Sequence, residues 1–344
     1  MITKRDRVYA SIRRTGVDAI PWQFDLTTAV SNKLKTYYST NDLFETIGDH
    51  MIPTGSTPPK GYVEESPADG FFRNEFGVVW RRSPRDLNVG DWGELVSYPL
   101  KEPNLSGYAF PDGFMPGRWS HVLEIRKRYP EHFLWVGGYG LFEPAWALCG
   151  FENYLSYIAG EPAFVEAVTE KLSDFSCQVI TQLKGLGVDG IRFGDDWGFQ
   201  DGLMIRLETW RKLFKKHYRR VFDTAHKLGL IVMVHSCGNI TNLLGDFIEL
   251  GVQVVHPFQS EVMDISHCKQ EFGKHITFWG GLGSQSTLPL GTPEEVKQEV
   301  RHRLNLFKNG GYILAPAGAA PAETPPENIA AIVEVAFEQL WRRR

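Results

Sequence analysis

From Phe133 to the C-terminus the sequence alternates between short runs of β-branched or aromatic residues and longer amphipathic stretches, and few folds accept that rhythm. The short runs are Phe133–Gly137, Gly190–Phe193, Ile231–His235, Val252–His256, Thr277–Gly280 and Tyr312–Ala315. Helical patterns follow at about 163–185, 207–228, 241–250, 264–272, 293–308 and 325–342. Parallel strands joined by helical crossovers satisfy this order. Two helix starts are well marked: Thr292-Pro293-Glu294-Glu295 supplies a cap, a first-turn proline and carboxylates facing the helix dipole, and Thr324-Pro325-Pro326-Glu327 repeats the device. Upstream, Ile20–Leu26 is expected as a first strand, after an N-terminal helix carrying Val8 and Ile12. Residues 52–118 are rich in Gly, Pro and aromatics and are expected as an insertion over one rim, with Phe76–Trp80 a strand of a small antiparallel excursion. The predicted fold is therefore α/β, a (β/α)8 TIM-type barrel in a single domain spanning 1–344. A doubly wound open sheet is the competitor, but no GxGxxG or phosphate loop opens any helix.

Charge and cysteine usage narrow the function. Lys and Arg total 37 against 41 Asp and Glu, a net charge of -4, which argues against nucleic-acid or anionic-membrane partners. No run approaches the ~20 apolar residues of a membrane span, and the first residues carry no signal-peptide pattern. Cys149, Cys177, Cys237 and Cys268 are scattered and form no CxxC pair, so a reducing compartment, the cytoplasm, is expected.

In such barrels chemistry gathers where strands end at their C-terminal side. The residues there are Asp25, Glu143, Asp195-Asp196-Trp197-Gly198-Phe199-Gln200, His235-Ser236-Cys237, and His256. Residues i and i+2 of an extended chain face one side, so His235 and Cys237 suit two ligands of a tetrahedral zinc, completed by a carboxylate. Glu143 and Asp196 both qualify as that carboxylate. Asp195, Asp196 and Glu143 are the candidate catalytic groups. Asp25, Gln200, Trp197 and His256 are candidates for binding substrate. Each has a plainer structural reading: a helix cap, a packed aromatic or a satisfied histidine.

The order of Asp195-Asp196-Trp197-Gly198-Phe199-Gln200, Val234-His235-Ser236-Cys237-Gly238-Asn239, Phe278-Trp279-Gly280-Gly281 and Thr324-Pro325-Pro326-Glu327-Asn328-Ile329 resembles the uroporphyrinogen decarboxylase superfamily, and Asp91-Trp92-Gly93-Glu94 resembles its corrinoid methyltransferase branch. That superfamily has a decarboxylase arm and a cobalamin-dependent methyltransferase arm that holds zinc. The decarboxylases open with an arginine-rich carboxylate-binding segment, whereas the matching region here reads Pro21-Trp22-Gln23-Phe24-Asp25, without arginine. The methyltransferases use His-x-Cys, which His235 and Cys237 match. Thiol-activating members carry a further cysteine after the last strand, and Ala315–Ala320 contains none. The resemblance thus implies a zinc-assisted methyltransferase acting on a small-molecule methyl donor, a methoxylated aromatic among the candidates. The corrinoid would come from a partner protein, since this chain has no Asp-x-His-x-x-Gly motif. Homodimerisation is compatible with it. The rivals are a decarboxylase of a porphyrinogen-like acid and a catalytically silent binding protein.

Overall fold

The computed structural model describes residues 2–58, 64–66, 70–82 and 93–341, with backbone alone for 64–66. Seven parallel strands form one curled sheet in the order β1 (Met51–Thr54), β6 (Phe133–Gly138), β7 (Gly190–Gly194), β8 (Ile231–His235), β9 (Val254–Phe258), β10 (Thr277–Leu282) and β11 (Tyr312–Pro316). The expected first strand, residues 20–26, is the eighth stave. Trp22 bridges Leu314 and Leu26 bridges Ala320 on one side, while the His50 N–H donates to the Trp22 carbonyl at 2.9 Å on the other. Pro21 has no N–H to give, which keeps the pairing on that stave sparse.

Alternation explains why the strand bodies are apolar on both faces. Leu134, Val136, Ile191, Phe193, Val232 and Val234 point outward and form one continuous core with the helices. Phe133, Trp135, Ile231, Met233, Val254, Trp279 and Ile313 point inward and fill the barrel. The helix Lys4–Arg13, started by a Thr3/Asp6 capping box, inserts Val8 and Ile12 into that inner cluster and stoppers the N-terminal end. Beside it, buried Asp189 accepts from Arg5 Nε at 2.8 Å, Tyr9 Oη at 2.9 Å, Arg126 Nη2 at 2.7 Å and the Leu134 N–H at 2.9 Å.

The rim excursion differs from expectation at its start. Met51–Thr54 pairs residue by residue with Phe133–Val136, so residues 52–54 belong to the barrel and the excursion begins after Thr54. It contains an antiparallel sheet, β2 (Glu64–Ser66), β3 (Phe71–Arg73), β4 (Val79–Arg81) and β5 (Glu94–Ser97). Phe76–Val78, expected as strand, turns instead, because Asn74 Oδ1 accepts the N–H groups of Phe76 and Val78, each at 3.1 Å. Asp91 and Trp92, part of one of the motifs above, lie outside the described residues. The excursion is tied to the barrel by the fully buried Arg118, which donates to Glu75 at 3.1 and 2.5 Å; Tyr139, just beyond β6, donates to the same carboxylate at 2.7 Å. No helix among the described residues is long and apolar enough to cross a membrane.

Candidate active site

The site is assembled where β7 and β8 end. Two loops are locked back to back there: the Asn239 N–H donates to the Phe199 carbonyl at 2.7 Å, and the Trp197 N–H donates to Ser236 Oγ at 2.9 Å. Glycine is required at the crossing point. A Cβ on Gly238, which has φ 81, would lie 2.3 Å from the Gly198 carbonyl carbon, and a Cβ on Gly198 would lie 2.7 Å from the Cys237 carbonyl oxygen. The Cys237 N–H also donates to Asp196 Oδ1 at 2.7 Å. These constraints bring one carboxylate, one imidazole and one thiol together.

Ligand atoms of Asp196, His235 and Cys237 all lie within 4.8 Å of one another. Cys237 Sγ is 3.6 Å from His235 Nε2, which is 3.5 Å from Asp196 Oδ1. Zinc bonds of about 2.0–2.3 Å at tetrahedral angles give edges of roughly 3.3–3.6 Å, so the donor set fits a zinc-sized ion. Of the two carboxylates open as third ligand, Asp196 is the one in the cluster.

The supporting residues fix the protonation pattern. His235 Nδ1 and His256 Nδ1 are 2.8 Å apart, and Arg192 Nη1 donates toward His256 Nδ1 at 3.4 Å. His256 Nδ1 therefore accepts, His235 Nδ1 carries the proton, and the His235 Nε2 lone pair is left facing Cys237 and Asp196. On the far side His256 Nε2 lies 3.4 Å from Asp25 Oδ2. Burial, then the positive charge of Arg192, lowers the affinity of both imidazoles for a second proton. Burial, reinforced by Asp196, pushes the Cys237 thiol up to about 12, so it ionises at neutral pH only beside a cation. Glu143 sits against this group: its carboxylate accepts the Asp196 N–H, and burial, then the charges of Asp195 and Asp196, pushes it up to about 8.

Four of the residues expected to act here are placed otherwise. Asp195 is 2% exposed and fully engaged, accepting the N–H groups of Leu141, Phe142 and Glu143 at 2.6, 2.9 and 2.7 Å and the hydroxyl of Tyr218. It caps the helix Glu143–Cys149 from a distance and so positions Glu143. Trp197 is buried, stacked on Phe142 with its indole N–H on Tyr218 Oη at 3.1 Å. Gln200 is exposed at the loop tip and makes no side-chain hydrogen bond among the described residues. His256 is buried beneath His235 rather than open to a ligand, while Asp25 keeps a quarter of its side chain accessible. Arg192, a charge within the otherwise apolar strand β7, was not among the expected site residues and reaches the same space. A groove of about 750 Å³ on the outer helical wall, beside Asp174 and Arg220, lies apart from these residues.

The uroporphyrinogen decarboxylase (URO-D) family profile matches residues 125–339, and the chain belongs to that family. Among curated relatives, a methylated-thiol–coenzyme M methyltransferase of Methanosarcina mazei is 24% identical over 72% of this chain and 67% of its own length. A methylcobamide:CoM methyltransferase of Methanosarcina acetivorans is 25% identical over 72% of this chain and 68% of its own. The solved structure of a methyltransferase from Methanosarcina mazei superposes with a TM-score of 0.74 at 18% identity, covering 98% of this chain and 99% of the other, which shows the fold. The similarity falls on the methyltransferase arm expected from His235 and Cys237.

Proposed function

We propose that this chain is a methyltransferase moving a methyl group from a small donor, a methoxylated aromatic, to the cobalt of a corrinoid held by a separate protein, with zinc bound by Asp196, His235 and Cys237. The observation that carries the reading is the convergence of those three donor atoms at the barrel mouth. The names of the relatives support methyl transfer and a corrinoid partner. Zinc bound there would act as a Lewis acid on the donor oxygen, and an oxygen ligand in place of a further sulfur keeps it harder and better suited to that task.

The chain's own residues do the rest. Asp25 and His256 hold His235 in one tautomer, and hydrogen-bond partners behind a ligand imidazole tune its metal affinity. Glu143, oriented by Asp195, delivers a proton to the donor oxygen as the carbon–oxygen bond breaks. That bond's electron pair stays on oxygen, the reduced corrinoid supplies the pair for the new methyl–cobalt bond, and the products are a phenol and a methylated corrinoid. Cys237, the strand-end thiol among the described residues, would be a ligand and so is not free to attack the methyl carbon.

A second reading, methyl transfer from the corrinoid to a thiol, is favoured by the two relatives' names. Purified zinc-loaded protein, mixed with a reduced corrinoid protein and a methoxylated benzoate, should yield methylated corrinoid and phenol in equal amounts. Thiol methylation from methylated corrinoid, without ether cleavage, would replace the first reading by the second. Neither reaction would sink both.

A further inference from the structure

Beside the zinc-type cluster stands a charged group the chemistry above has not used, Arg192. Along β7, Arg192 and Gly194 are two residues apart and face inward, and Gly137 of β6 is in register with Arg192. A Cβ added at Gly137 or at Gly194 would meet nothing within 4 Å, so both glycines border open space. The Arg192 guanidinium forms the floor, with its Cζ over the rings of Trp135 and Trp279 at 4.2 and 5.2 Å from their centroids. It is anchored through one nitrogen: Nη1 donates to Asp25 Oδ2 at 3.0 Å and toward His256 Nδ1 at 3.4 Å. Its Nε and Nη2 make no hydrogen bond among the described residues, although only 20% of the side chain is accessible.

The contrast with other arginines of this chain is sharp. Arg118 and Arg126 each place donors from several nitrogens on protein acceptors. The Nε and Nη2 edge of Arg192 therefore has N–H groups that no protein acceptor has claimed, and that edge has the spacing of a carboxylate or sulfonate. Two contacts, of 2.8 and 3.4 Å, link His235 to Arg192 through His256, so one short molecule can span both.

We propose that Arg192 is the anchor for an anionic head group, carboxylate or sulfonate, of the small molecule whose other end reacts at the cluster. This deepens the methyl-transfer reading and rests on it only for the identity of the reacting end. Gly137 and Gly194 are what make room for the anion's carbon frame.

The test is binding to the zinc-loaded full chain, read by calorimetry and by quenching of tryptophan fluorescence. 4-Methoxybenzoate is compared with neutral 4-methoxybenzyl alcohol, and 2-sulfanylethanesulfonate with neutral 2-sulfanylethanol. At least one anion should bind about 10-fold or more tighter than its neutral counterpart, and the arm that does so identifies carboxylate or sulfonate. Arg192→Gln, and Arg192→Gln with Asp25→Asn to keep the charges balanced, should abolish that preference, with Arg192→Lys retaining part of it. Should the arginine variants not fold, Gly137→Ala and Gly194→Ala, whose new methyl meets only open space, should weaken the anion without altering thermal stability. Equal affinity for anion and neutral molecule in the parent protein overturns the proposal, as does a preference unchanged in folded Arg192→Gln, or undiminished affinity in both alanine variants. Anion preference without methyl transfer would leave this assignment standing and remove the reaction proposed above.

Discussion

Two charged groups three residues apart, Asp189 just before β7 and Arg192 within it, meet opposite fates. Asp189, at the stoppered end of the barrel, has its carboxylate saturated by two arginines, a tyrosine hydroxyl and a backbone N–H. Arg192, at the open end, is satisfied at one nitrogen only. A saturated buried charge fixes structure: it gains hydrogen bonds enough to offset its desolvation and has nothing left to offer a ligand. An unsaturated one, beside the open space at Gly137 and Gly194, has donors left to offer a ligand. Asp195 and Asp196 repeat the lesson side by side, the first closed around the turn 141–143 and the second facing the thiol and imidazole.

The hardest way to break the open end is to remove its donors. His235→Ala with Cys237→Ser should take bound zinc from about one per chain to none and methyl transfer to background, while the unfolding midpoint shifts little; mass spectrometry of the native protein and a denaturation curve read both. At the closed end Asp189→Ala strands two guanidinium groups and should cost about 3–5 kcal/mol in urea unfolding, with zinc content per folded molecule unchanged. If that variant lost zinc without losing stability, the division between the two ends would be wrong. Glu143→Gln sharpens the division within the mouth. It keeps the shape, should retain zinc, and should slow ether cleavage by about 100-fold.

The smallest effect is expected back at the closed end, in the pair Arg7–Asp18, with contacts of 2.9 and 2.8 Å. The Arg7 hydrogen bonds hold Asp18 below its ordinary 3.8, outweighing burial, which acts the other way. A lowered carboxyl value means the stabilisation is complete above 3.8 and is lost as pH falls through the folded-state value. Asp18→Asn should therefore cost about 1 kcal/mol at neutral pH. Unfolding curves of the two proteins should stay equally far apart down to about pH 5 and converge only below the ordinary carboxyl range. A gap that widens on acidification would contradict this sign.

The barrel was legible because its strands are apolar on both faces and its helices are well capped, signals that lie within a few residues of sequence. Met51–Thr54 escaped because a four-residue strand containing Pro53 has neither length nor alternation to mark it. The pairing of His235 with Cys237 was legible from the i, i+2 rule. The choice of Asp196 over Glu143 was not, because it depends on a loop crossing at Gly198 and Gly238. Asp195 and Trp197 stood in the right segment and carried the right chemistry, yet nothing local says that their side chains turn inward to Tyr218 and Phe142. Gln200, by contrast, sat beyond the reach of either loop constraint.

The stopper formed by Val8 and Ile12 leaves the barrel with one doorway. On the proposed reading, a small molecule and a protein-borne cobalt must share it, and only one of them fits inside. Traffic is then compulsory: the small molecule enters first, the protein lies across the threshold, and the product waits until the protein departs. The kinetic signature is a small molecule whose escape slows once the protein is seated. Excess corrinoid protein should inhibit at low concentrations of the small molecule, by closing the door on an empty room.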